Sequence, residues 1–422
     1  MSTLTIAQAS CADDYDPNSM PVAKARAFIH QFLTPVSGVV RVPVRDALGR
    51  VIAVDIPSPV NVPSHRNSAM DGWALRGADL KGGSETTLAE IGVAFAGKPF
   101  AGGVGPGQCV RIMTGGVVPE GADTVVMQER ARADGKSVTF AAGQKLGQNV
   151  REAGEDLKAG AVALRRGRIV RPAELGLVAS LGIGEVAVYR RLRVAFFSTG
   201  DELKSIGTAL GEGEIYDSNR YTLHGMLARL GCEVLDMGVV RDDPASIERA
   251  FAEAAAGADV VITSGGVSVG EADFVKGILG KLGEVVFWKI AMKPGRPLAY
   301  GKIGPAHFFG LPGNPVSVMV TFYQFVRDAL LVMMGVDPVD PVPTFAAVCT
   351  QRLKKAPGRT EFQRGILTRG PDGALSVRPT GEQGSGILKS MSDANCFIIL
   401  GDATGNVEPG TTVEVQLMEG VV

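Results

Sequence analysis

The chain is 422 residues long, and its composition excludes several classes of protein. Hydrophobic residues make up 45% of it, so it can bury substantial cores and is not an intrinsically disordered chain. The net charge is −1, which gives no support to a nucleic-acid binder that depends on bulk basic charge. At this length we expect three or four structural units rather than one.

The class of protein is limited further by the cysteines, the histidines and the N-terminus. The five cysteines include no Cys-x-x-Cys pair, which predicts reduced, mostly buried thiols, and the four histidines are scattered rather than clustered. Residues 1–18 lack the basic start and apolar core of a signal peptide and predict a disordered tail. The longest apolar stretch, residues 316–334, is interrupted by Gln324, Arg327 and Asp328. We therefore predict a cytoplasmic protein with neither a nucleic-acid nor a membrane partner.

The first part of the chain predicts β-rich structure with helical linkers. Pro21 opens a stretch with apolar residues at helical spacing, and residues 39–44 and 51–56 have strand character on either side of a turn at Leu48-Gly49. A helix is predicted at 172–181 and ended by Gly182. We assign residues 19–56 and 146–190 to an N-terminal β-rich domain with a helical linker region.

Residues 57–145 differ from the segments around them. Proline, glycine and short β-branched runs, such as residues 110–113 and 124–127, dominate here. This composition predicts a small β domain inserted into the N-terminal domain.

Strands and helices alternate from residue 191 to about 337. Strands are predicted at 194–197, 234–240, 260–263, 285–290 and 307–310, and helices at 219–230, 244–256, 273–282 and 316–333. Repeated β-α-β units predict a central α/β domain with a parallel, doubly wound sheet and right-handed crossovers. Prolines at 338, 341 and 343 mark a linker. The strands and turns beyond it predict a small C-terminal β-barrel at 338–422, so the fold class is multidomain α/β plus β.

A glycine and hydroxyl loop follows the third predicted strand of the central domain. Ligands of open parallel sheets bind beyond the carboxyl ends of the strands, and a loop of this kind aims backbone N–H groups at a phosphate or another oxyanion. The loop fits neither the Walker A motif nor the Rossmann fingerprint, so it predicts a general oxyanion site, with a tight turn that binds nothing as the alternative. The candidate residues are Ser264, Gly265, Gly266, Ser268 and Gly270.

Charged residues at other strand ends complete the candidate site. Glu202, Asp242 and Asp273 come from three strand ends, and if they converge their repulsion requires a cation, for which oxygen ligands favour Mg²⁺. Taken singly, each carboxylate fits a helix cap or a solvated surface acid better than a metal ligand. Lys289 ends a strand and Lys293 begins a proline-stiffened loop, which suits a multiply charged anion. The alternative is that both lysines only cover the sheet edge.

Six short strings in order resemble one known family. They are Ser68-Ala69-Met70-Asp71-Gly72, Arg111-Ile112-Met113-Thr114-Gly115, Ser198-Thr199-Gly200-Asp201-Glu202-Leu203, Ser264-Gly265-Gly266-Val267-Ser268 with Gly270 and Asp273, Lys293-Pro294-Gly295, and Leu311-Pro312-Gly313-Asn314-Pro315. Together they closely resemble the molybdopterin molybdenumtransferase family, which includes bacterial MoeA and the E domain of gephyrin. The resemblance extends from about residue 20 to the end. One departure is His65-Arg66, where relatives usually carry an apolar or aromatic pair at the rim of the cleft.

The resemblance implies an activity and a set of site residues. The family inserts molybdate into adenylylated molybdopterin and releases AMP with Mg²⁺, as a homodimer whose cleft lies between the molybdopterin-binding-like central domain of one subunit and the β domain of the other. It implies a metal role for Glu202, Asp242 and Asp273, and phosphate contacts from the 264–270 loop. The remaining implied positions are Asp71 and Thr114 from the partner subunit, Lys289, Lys293, Arg364 and Ser385 around molybdate, and Pro312 and Asn314 around the substrate. Expected partners are molybdopterin adenylyltransferase and downstream molybdoenzyme maturation proteins.

Two other functions stay open at this point. The chain could be a scaffold that has kept the fold without the catalysis, and substrate binding without AMP release would favour that. It could also be a nucleotidyltransferase that makes the adenylylated pterin, and adenylyl transfer from ATP would favour that. Tungstate, another tetrahedral dianion of similar size, is an alternative to molybdate.

Overall fold

The computed structural model describes residues 5, 6, 8, 19–265 and 272–418, without the side chains of residues 272–274. Most of the predicted tail therefore lies outside the described residues. Ile6 is buried in the main hydrophobic core, and its N–H donates to Glu284 Oε2 at 3.0 Å. At Ile6 the prediction of a disordered tail is wrong, because an apolar side chain there gains burial against the core.

Between residues 19 and 190 the structure has two α-helices, twelve strands and short 3-10 helical turns. The helices are α1 (Val22–His30) and α2 (Pro172–Ser180). The strands are β1 (Val39–Pro43), β2 (Ile56–Pro57), β3 (Asn67–Ser68), β4 (Gly72–Leu75), β5 (Thr86–Ala94), β6 (Gln108–Ile112), β7 (Thr124–Met127), β8 (Ala131–Asp134), β9 (Ser137–Phe140), β10 (Val150–Arg151), β11 (Val162–Leu164) and β12 (Glu185–Tyr189). Strands β4 to β9 form one six-stranded sheet in the order β7-β4-β6-β5-β9-β8, and the others pair as β1-β12, β10-β3 and β11-β2.

The helices predicted from Pro21 and before Gly182 are confirmed, but the strand predicted at 51–56 is mostly wrong. Only its end belongs to β2. Val51 bridges to Ile169 and Ile52 bridges to Val188, so neighbouring residues contact different parts of the chain and no continuous ladder forms.

The central part alternates strands and helices as predicted. Its elements are β13 (Arg193–Thr199), β14 (Leu203–Lys204), β15 (Ile215–Tyr216), α3 (Ser218–Arg229), β16 (Glu233–Val240), α4 (Pro244–Gly257), β17 (Val260–Ser264), α5 (Ala272–Leu282), β18 (Gly283–Lys289), β19 (Met292–Lys293), β20 (Pro297–Ile303), β21 (Ala306–Leu311) and α6 (Pro315–Met333). The sheet order is β16-β13-β17-β21-β20-β18. A π-helical turn, Phe322–Val326, lies within α6.

Helices cover both faces of this sheet, so the doubly wound arrangement is confirmed. Val194 and Phe196 of β13 pack into the core that contains α1, α3 and α6, and Ala195 and Phe197 face α4 and α5. The sheet is not wholly parallel, however. Strand β20, which the sequence did not predict, runs antiparallel to both β21 and β18. The other five strands share one direction, so their carboxyl ends lie at one edge.

Helix α6 is the core helix of the central part. Within the described ranges it is the helix that is long and apolar enough to cross a membrane by length and composition, and 72% of its most apolar window is buried inside the protein. Its buried side chains belong to the same core as those of β13 and β17. Its apolar character therefore follows from burial on several sides.

The C-terminal part is a closed barrel, as predicted. Its elements are β22 (Thr344–Cys349), β23 (Thr360–Arg369), β24 (Leu375–Pro379), α7 (Leu388–Asp393), β25 (Cys396–Leu400) and β26 (Thr412–Leu417). Five strands follow the order β23-β24-β22-β26-β25, and β25 pairs back to β23. Strand β19 adds to β23 in parallel, which places the segment around Lys293 against the barrel.

The burial of one histidine, His307, should make the free energy of unfolding depend on pH. His307 lies within 3.3 Å of the Tyr300 hydroxyl, and burial, with a smaller effect of Lys302, lowers the pKa of His307 to about 4. Because the folded pKa lies below that of the unfolded chain, unfolding binds a proton between these values. The free energy of unfolding should therefore fall by up to about 3 kcal/mol as the pH falls from about 6.5 to about 4.

Urea denaturation of wild-type protein and His307→Gln at several pH values between about 4.5 and 7.5 tests this expectation. The variant should be less stable near neutral pH but should lose less stability on acidification. His224→Gln, which changes an exposed histidine, is the control and should keep the wild-type pH dependence. An unchanged acid sensitivity in His307→Gln would contradict the assignment.

Candidate functional site

A cleft of about 1010 Å³ lies where the shared edge of the central sheet meets the C-terminal barrel. Loops that follow β13, β16, β17 and β21 line it, together with the segment that leads into β20. The N-terminus of α3 and the loop before α7, which includes Gln383–Gly384–Ser385–Gly386, complete the wall. We call this space the cleft below.

The cleft brings together many of the residues predicted from the sequence. Those that line it are Glu202, Asp242, Ser264, Gly265, Lys293, Pro312, Asn314 and Ser385. They come from both the central and the C-terminal parts of the chain. The expectation that acids and bases distant in sequence meet in one place therefore holds for these residues, and the role of each stays a prediction.

Two of the three predicted metal-binding carboxylates are in the cleft. Glu202 follows β13 and folds over Gly200, where a Cβ would lie 2.5 Å from Glu202 Oε2, so a side chain at Gly200 would displace the carboxylate. Asp242 follows β16, and its N–H contacts Asp201 Oδ1 at 3.4 Å. The side chain of Asp273 lies outside the described residues. Within the described part of the chain, no three His, Cys, Asp or Glu side chains cluster in a metal-binding arrangement.

The start of the glycine loop differs from the predicted oxyanion site. The N–H of Gly265 donates to the Leu311 carbonyl at 3.2 Å, and Ser264 Oγ lies 3.1 Å from Ser198 Oγ. That N–H therefore already has a partner beside the β17–β21 ladder, and the predicted role of Gly265 in substrate binding stays a prediction. Gly265 has φ +89°, and a Cβ there would approach the Thr199 carbonyl to 2.8 Å, so close packing explains this glycine. Gly266, Ser268 and Gly270 lie outside the described residues.

Of the two lysines predicted to bind an anion, Lys293 lies in the cleft wall. Its Nζ lies 3.4 Å from Glu361 Oε1, and the Glu361 side chain is only 5% exposed while that of Lys293 is 47% exposed. Gln363 Nε2 donates to the other oxygen of Glu361 at 2.9 Å. A buried carboxylate thus helps to orient the side chain of a lysine that lines the cleft.

Lys289 is placed differently from Lys293. It ends β18 at the same sheet edge but is not among the residues that line the cleft. Its carbonyl accepts the N–H of Met20 at 3.0 Å, so the backbone there is joined to the N-terminal segment. The predicted contact of Lys289 with an anion stays a prediction.

Opposite charges lie at opposite ends of the cleft. Glu202 and Asp242 follow β13 and β16, and Lys293 and Arg296 precede β20. Three strand spacings separate β13 from β20 in the sheet, which is about 14 Å. Arg359 of the barrel also lines the cleft. The arrangement suits an elongated ligand that carries negative charge at more than one position.

Arg364 lies behind the cleft wall rather than in it. Its side chain is among the largest that are fully buried, and burial lowers its pKa to about 10. Its guanidinium donates to the carbonyls of Gln383 and Gly384 at 3.2 and 2.9 Å and to Ser390 Oγ at 2.9 Å. These donors hold the loop that carries Ser385, and the predicted contact of Arg364 with molybdate stays a prediction.

Asp71 and Thr114 form a pair on the inserted β sheet. Asp71 Oδ1 accepts hydrogen bonds from Thr114 N at 2.7 Å and Thr114 Oγ1 at 2.8 Å. These two hydrogen bonds, with a smaller effect of Arg111, lower the pKa of Asp71, so this exposed carboxyl stays ionised. The pair is not among the residues that line the cleft of its own chain.

Sequence reasoning missed several residues of the cleft wall. They are Thr199, Tyr216, Asp217, Asn219, Arg359 and Gln383. The string Asp217-Ser218-Asn219 before a helical pattern predicts a helix cap, which it is, since Asp217 Oδ1 accepts the Arg220 N–H. Its position in the cleft depends on α3 packing beside β13, which no local pattern reveals.

Comparison with known proteins agrees with this architecture. Residues 20–182 match the family described as MoeA N-terminal region (domain I and II), residues 195–331 match the probable molybdopterin binding domain, and residues 346–418 match MoeA C-terminal region (domain IV). The fold and the cleft thus define a multidomain protein built around a molybdopterin-binding type of α/β domain.

Full-length relatives and solved structures identify the family. The chain is 49% identical over 374 residues to a molybdopterin molybdenumtransferase of Haemophilus influenzae, covering 88% of this chain and 92% of that one. It is 36% identical to molybdopterin molybdenumtransferase 2 of Mycobacterium tuberculosis, with 89% and 94% covered. The crystal structure of a molybdopterin biosynthesis MoeA protein from Pyrococcus horikoshii superposes with a TM-score of 0.83 at 28% identity, covering 95% of this chain and all of that chain. The chain belongs to the MoeA family of molybdopterin molybdenumtransferases, and the resemblance inferred from the sequence is confirmed together with the transferase class.

Proposed function

We propose that this protein inserts molybdate into adenylylated molybdopterin and releases AMP in a Mg²⁺-dependent reaction. The observation that carries the proposal is the separation of charge in the cleft, with Glu202 and Asp242 at one end and Lys293, Arg296 and Arg359 among the other lining residues. A pterin joined to AMP through a phosphoanhydride is elongated and anionic, and molybdate is a dianion. A cleft with fixed cations at one end and metal-binding carboxylates at the other accommodates both charges.

The carboxylate oxygens at one end of the cleft are suitable ligands for Mg²⁺. This ion usually binds through one or two carboxylates, with water and substrate phosphate oxygens as its other ligands, and Glu202 and Asp242 supply two carboxylates at one end of the cleft. When bound, Mg²⁺ would offset the negative charge of the phosphoanhydride as AMP leaves. Asp273 is the third proposed ligand, on the resemblance alone.

The chain's own residues would position the reactants. Lys293 holds molybdate by charge and hydrogen bonding, and Glu361 keeps the lysine oriented toward the cleft. Ser385, on the loop held by Arg364, adds a hydroxyl contact. Fixing the oxyanion beside the pterin sulfur atoms replaces a chance encounter by a positioned one.

We further infer a homodimer in which Asp71 and Thr114 complete the partner's cleft. The pair supports this inference because it is exposed and ionised yet stands apart from the cleft of its own chain. The substrate must come from an adenylylating enzyme, and the product must pass to proteins that mature molybdoenzymes. Both are proposed partners, and a cytoplasmic location stays a prediction.

An AMP-release assay tests the proposal. The protein is incubated with adenylylated molybdopterin, Mg²⁺ and molybdate, and AMP is quantified by chromatography. Glu202→Gln and Asp242→Asn should each lower kcat/KM by about tenfold or more, because each removes an anionic ligand while keeping the side-chain shape. Glu248→Gln, on the exposed side of α4, should stay within about twofold of wild type.

Each alternative gives a different result in the same assay. Wild-type AMP release from both carboxamide variants would contradict the metal assignment. Substrate binding by the wild-type protein without AMP release would favour a scaffold, and adenylyl transfer from ATP to molybdopterin would favour a nucleotidyltransferase.

A further inference from the structure

Three buried polar side chains in the wall of the cleft lack hydrogen-bond partners at one atom each. These atoms are Thr199 Oγ1, Asp217 Oδ2 and Asn219 Oδ1, and no partner for them exists within the part of the chain that the structure describes. The three residues are 8%, 2% and 8% exposed, respectively. A buried polar atom without a partner costs about 1–3 kcal/mol, so three such atoms in one wall favour a bound group that supplies their hydrogen-bond partners.

Neighbouring contacts determine which of these atoms are acceptors. Asn219 Nδ2 donates to the Gly313 carbonyl at 2.6 Å, so its free atom is the amide oxygen. Asp217 caps α3 through Oδ1, which accepts the Arg220 N–H at 3.1 Å, so its free atom is the second carboxylate oxygen. The Thr199 hydroxyl can accept as well as donate. The three free oxygen atoms therefore require N–H donors as partners. The negative charge of the Asp217 carboxylate disfavours a phosphate at this position.

An apolar wall adjoins these acceptors. Ile215 and Tyr216 line the same cleft although they are 54% and 43% exposed. The Tyr216 hydroxyl donates to the Thr208 carbonyl at 2.7 Å, which restricts the movement of its ring. Exposed apolar side chains beside unpaired acceptors suit a flat heterocycle with N–H groups along one edge.

We propose that Thr199, Asp217 and Asn219 bind the 2-amino-4-oxo edge of the pterin ring, with Ile215 and Tyr216 against its face. This edge presents an amino group and a ring N–H, which supply the donors that the three acceptors lack. The inference rests on the proposed function, because it assigns one part of the proposed substrate to one end of the cleft. Asp217 and its neighbours thereby determine specificity for the pterin, while the cations at the other end bind the oxyanion.

Fluorescence titration with pterin and with lumazine, its 2-oxo analogue, tests the assignment. Wild-type protein should bind pterin at least about tenfold more tightly than lumazine, since a site built around acceptors rejects a ligand that lacks the amino donor. In Asp217→Asn the amide oxygen can still cap α3, and an NH₂ group replaces the free oxygen, so the preference for pterin should disappear or reverse.

Asp243→Asn is the matched control. Asp243 caps α4 through the Ser246 N–H in the same way as Asp217 caps α3, and it is not among the residues that line the cleft. This variant should keep the wild-type preference for pterin. Thr199→Val, which removes only the hydroxyl, should weaken pterin binding in the same direction as Asp217→Asn.

Four results would overturn the proposal. They are equal affinity of the wild-type protein for the two pteridines, an unchanged preference in Asp217→Asn, loss of AMP affinity rather than pterin affinity in that variant, and Mg²⁺ binding in the absence of pteridine that depends on Asp217. The last two would assign the acceptors to adenine and to a cation. Because the wild-type AMP-release assay uses none of these variants, it can succeed while this inference fails.

Discussion

Replacement of Lys293 by methionine is expected to lower kcat/KM for molybdate by about a hundredfold or more, the usual cost of removing one charged contact to a reacting anion. Lys293 of the cleft wall forms an ion pair with the buried Glu361 of the barrel and so joins the central and C-terminal parts of the chain. Among the described residues, the same change leaves the Glu361 carboxylate with one hydrogen bond, which Gln363 donates. We therefore also expect the free energy of unfolding to fall by about 1–3 kcal/mol.

The double variant Lys293→Met/Glu361→Gln separates these two effects. Neutralising Glu361 removes the stranded charge, so the double variant should regain most of the lost stability as measured by urea denaturation. It should not regain activity, because the cation in the cleft is still missing. Lys281→Gln, at the exposed end of α5, should match wild type in both measurements. Recovery of activity along with stability would mean that Lys293 is only a structural residue.

Replacement of Arg364 by methionine is expected to lower the free energy of unfolding by about 3–5 kcal/mol. The guanidinium is the donor for the carbonyls of Gln383 and Gly384, which belong to the cleft wall, and for the Oγ of the buried Ser390. The loop that carries Ser385 should then lose its position in the cleft wall. Urea denaturation measures the first effect, and the AMP-release assay measures the second.

Arg378→Met is the control for Arg364. Arg378 lies on β24, next to β23 in the barrel, and is exposed, so its replacement should change stability by no more than about 0.5 kcal/mol. Arg364→Lys keeps the charge but not the planar fork and should lie between the wild-type protein and Arg364→Met. If Arg364→Met were as stable as wild type but had lost molybdate affinity, that result would support the predicted direct contact of Arg364 with molybdate rather than a structural role.

Local patterns predicted most elements of the central part. Residues 219–230 became α3 and residues 260–263 became β17, each within about two residues, because apolar periodicity and end signals act over short stretches. The Asp243 cap followed by proline at the first helical position is also confirmed. Strand β20 was not predicted, because Pro297, Gly301 and Gly304 give that stretch the composition of a loop. Its pairing with β18 and β21 overrides this local preference.

The candidate site, like the fold, was only partly predictable from the sequence. Strand ends that carry Glu202, Asp242 and Lys293 could be recognised from the sequence because each follows or begins a predicted element, and the six motif strings were enough to indicate the family. Nothing local to Arg364, Gly265 or Asp217 indicates that the first lies behind the wall, that the second donates its N–H to the Leu311 carbonyl, or that the third keeps one buried carboxylate oxygen without a partner among the described residues. Residue type and spacing are properties of short segments, whereas burial and partner choice arise only when segments distant in the chain pack together.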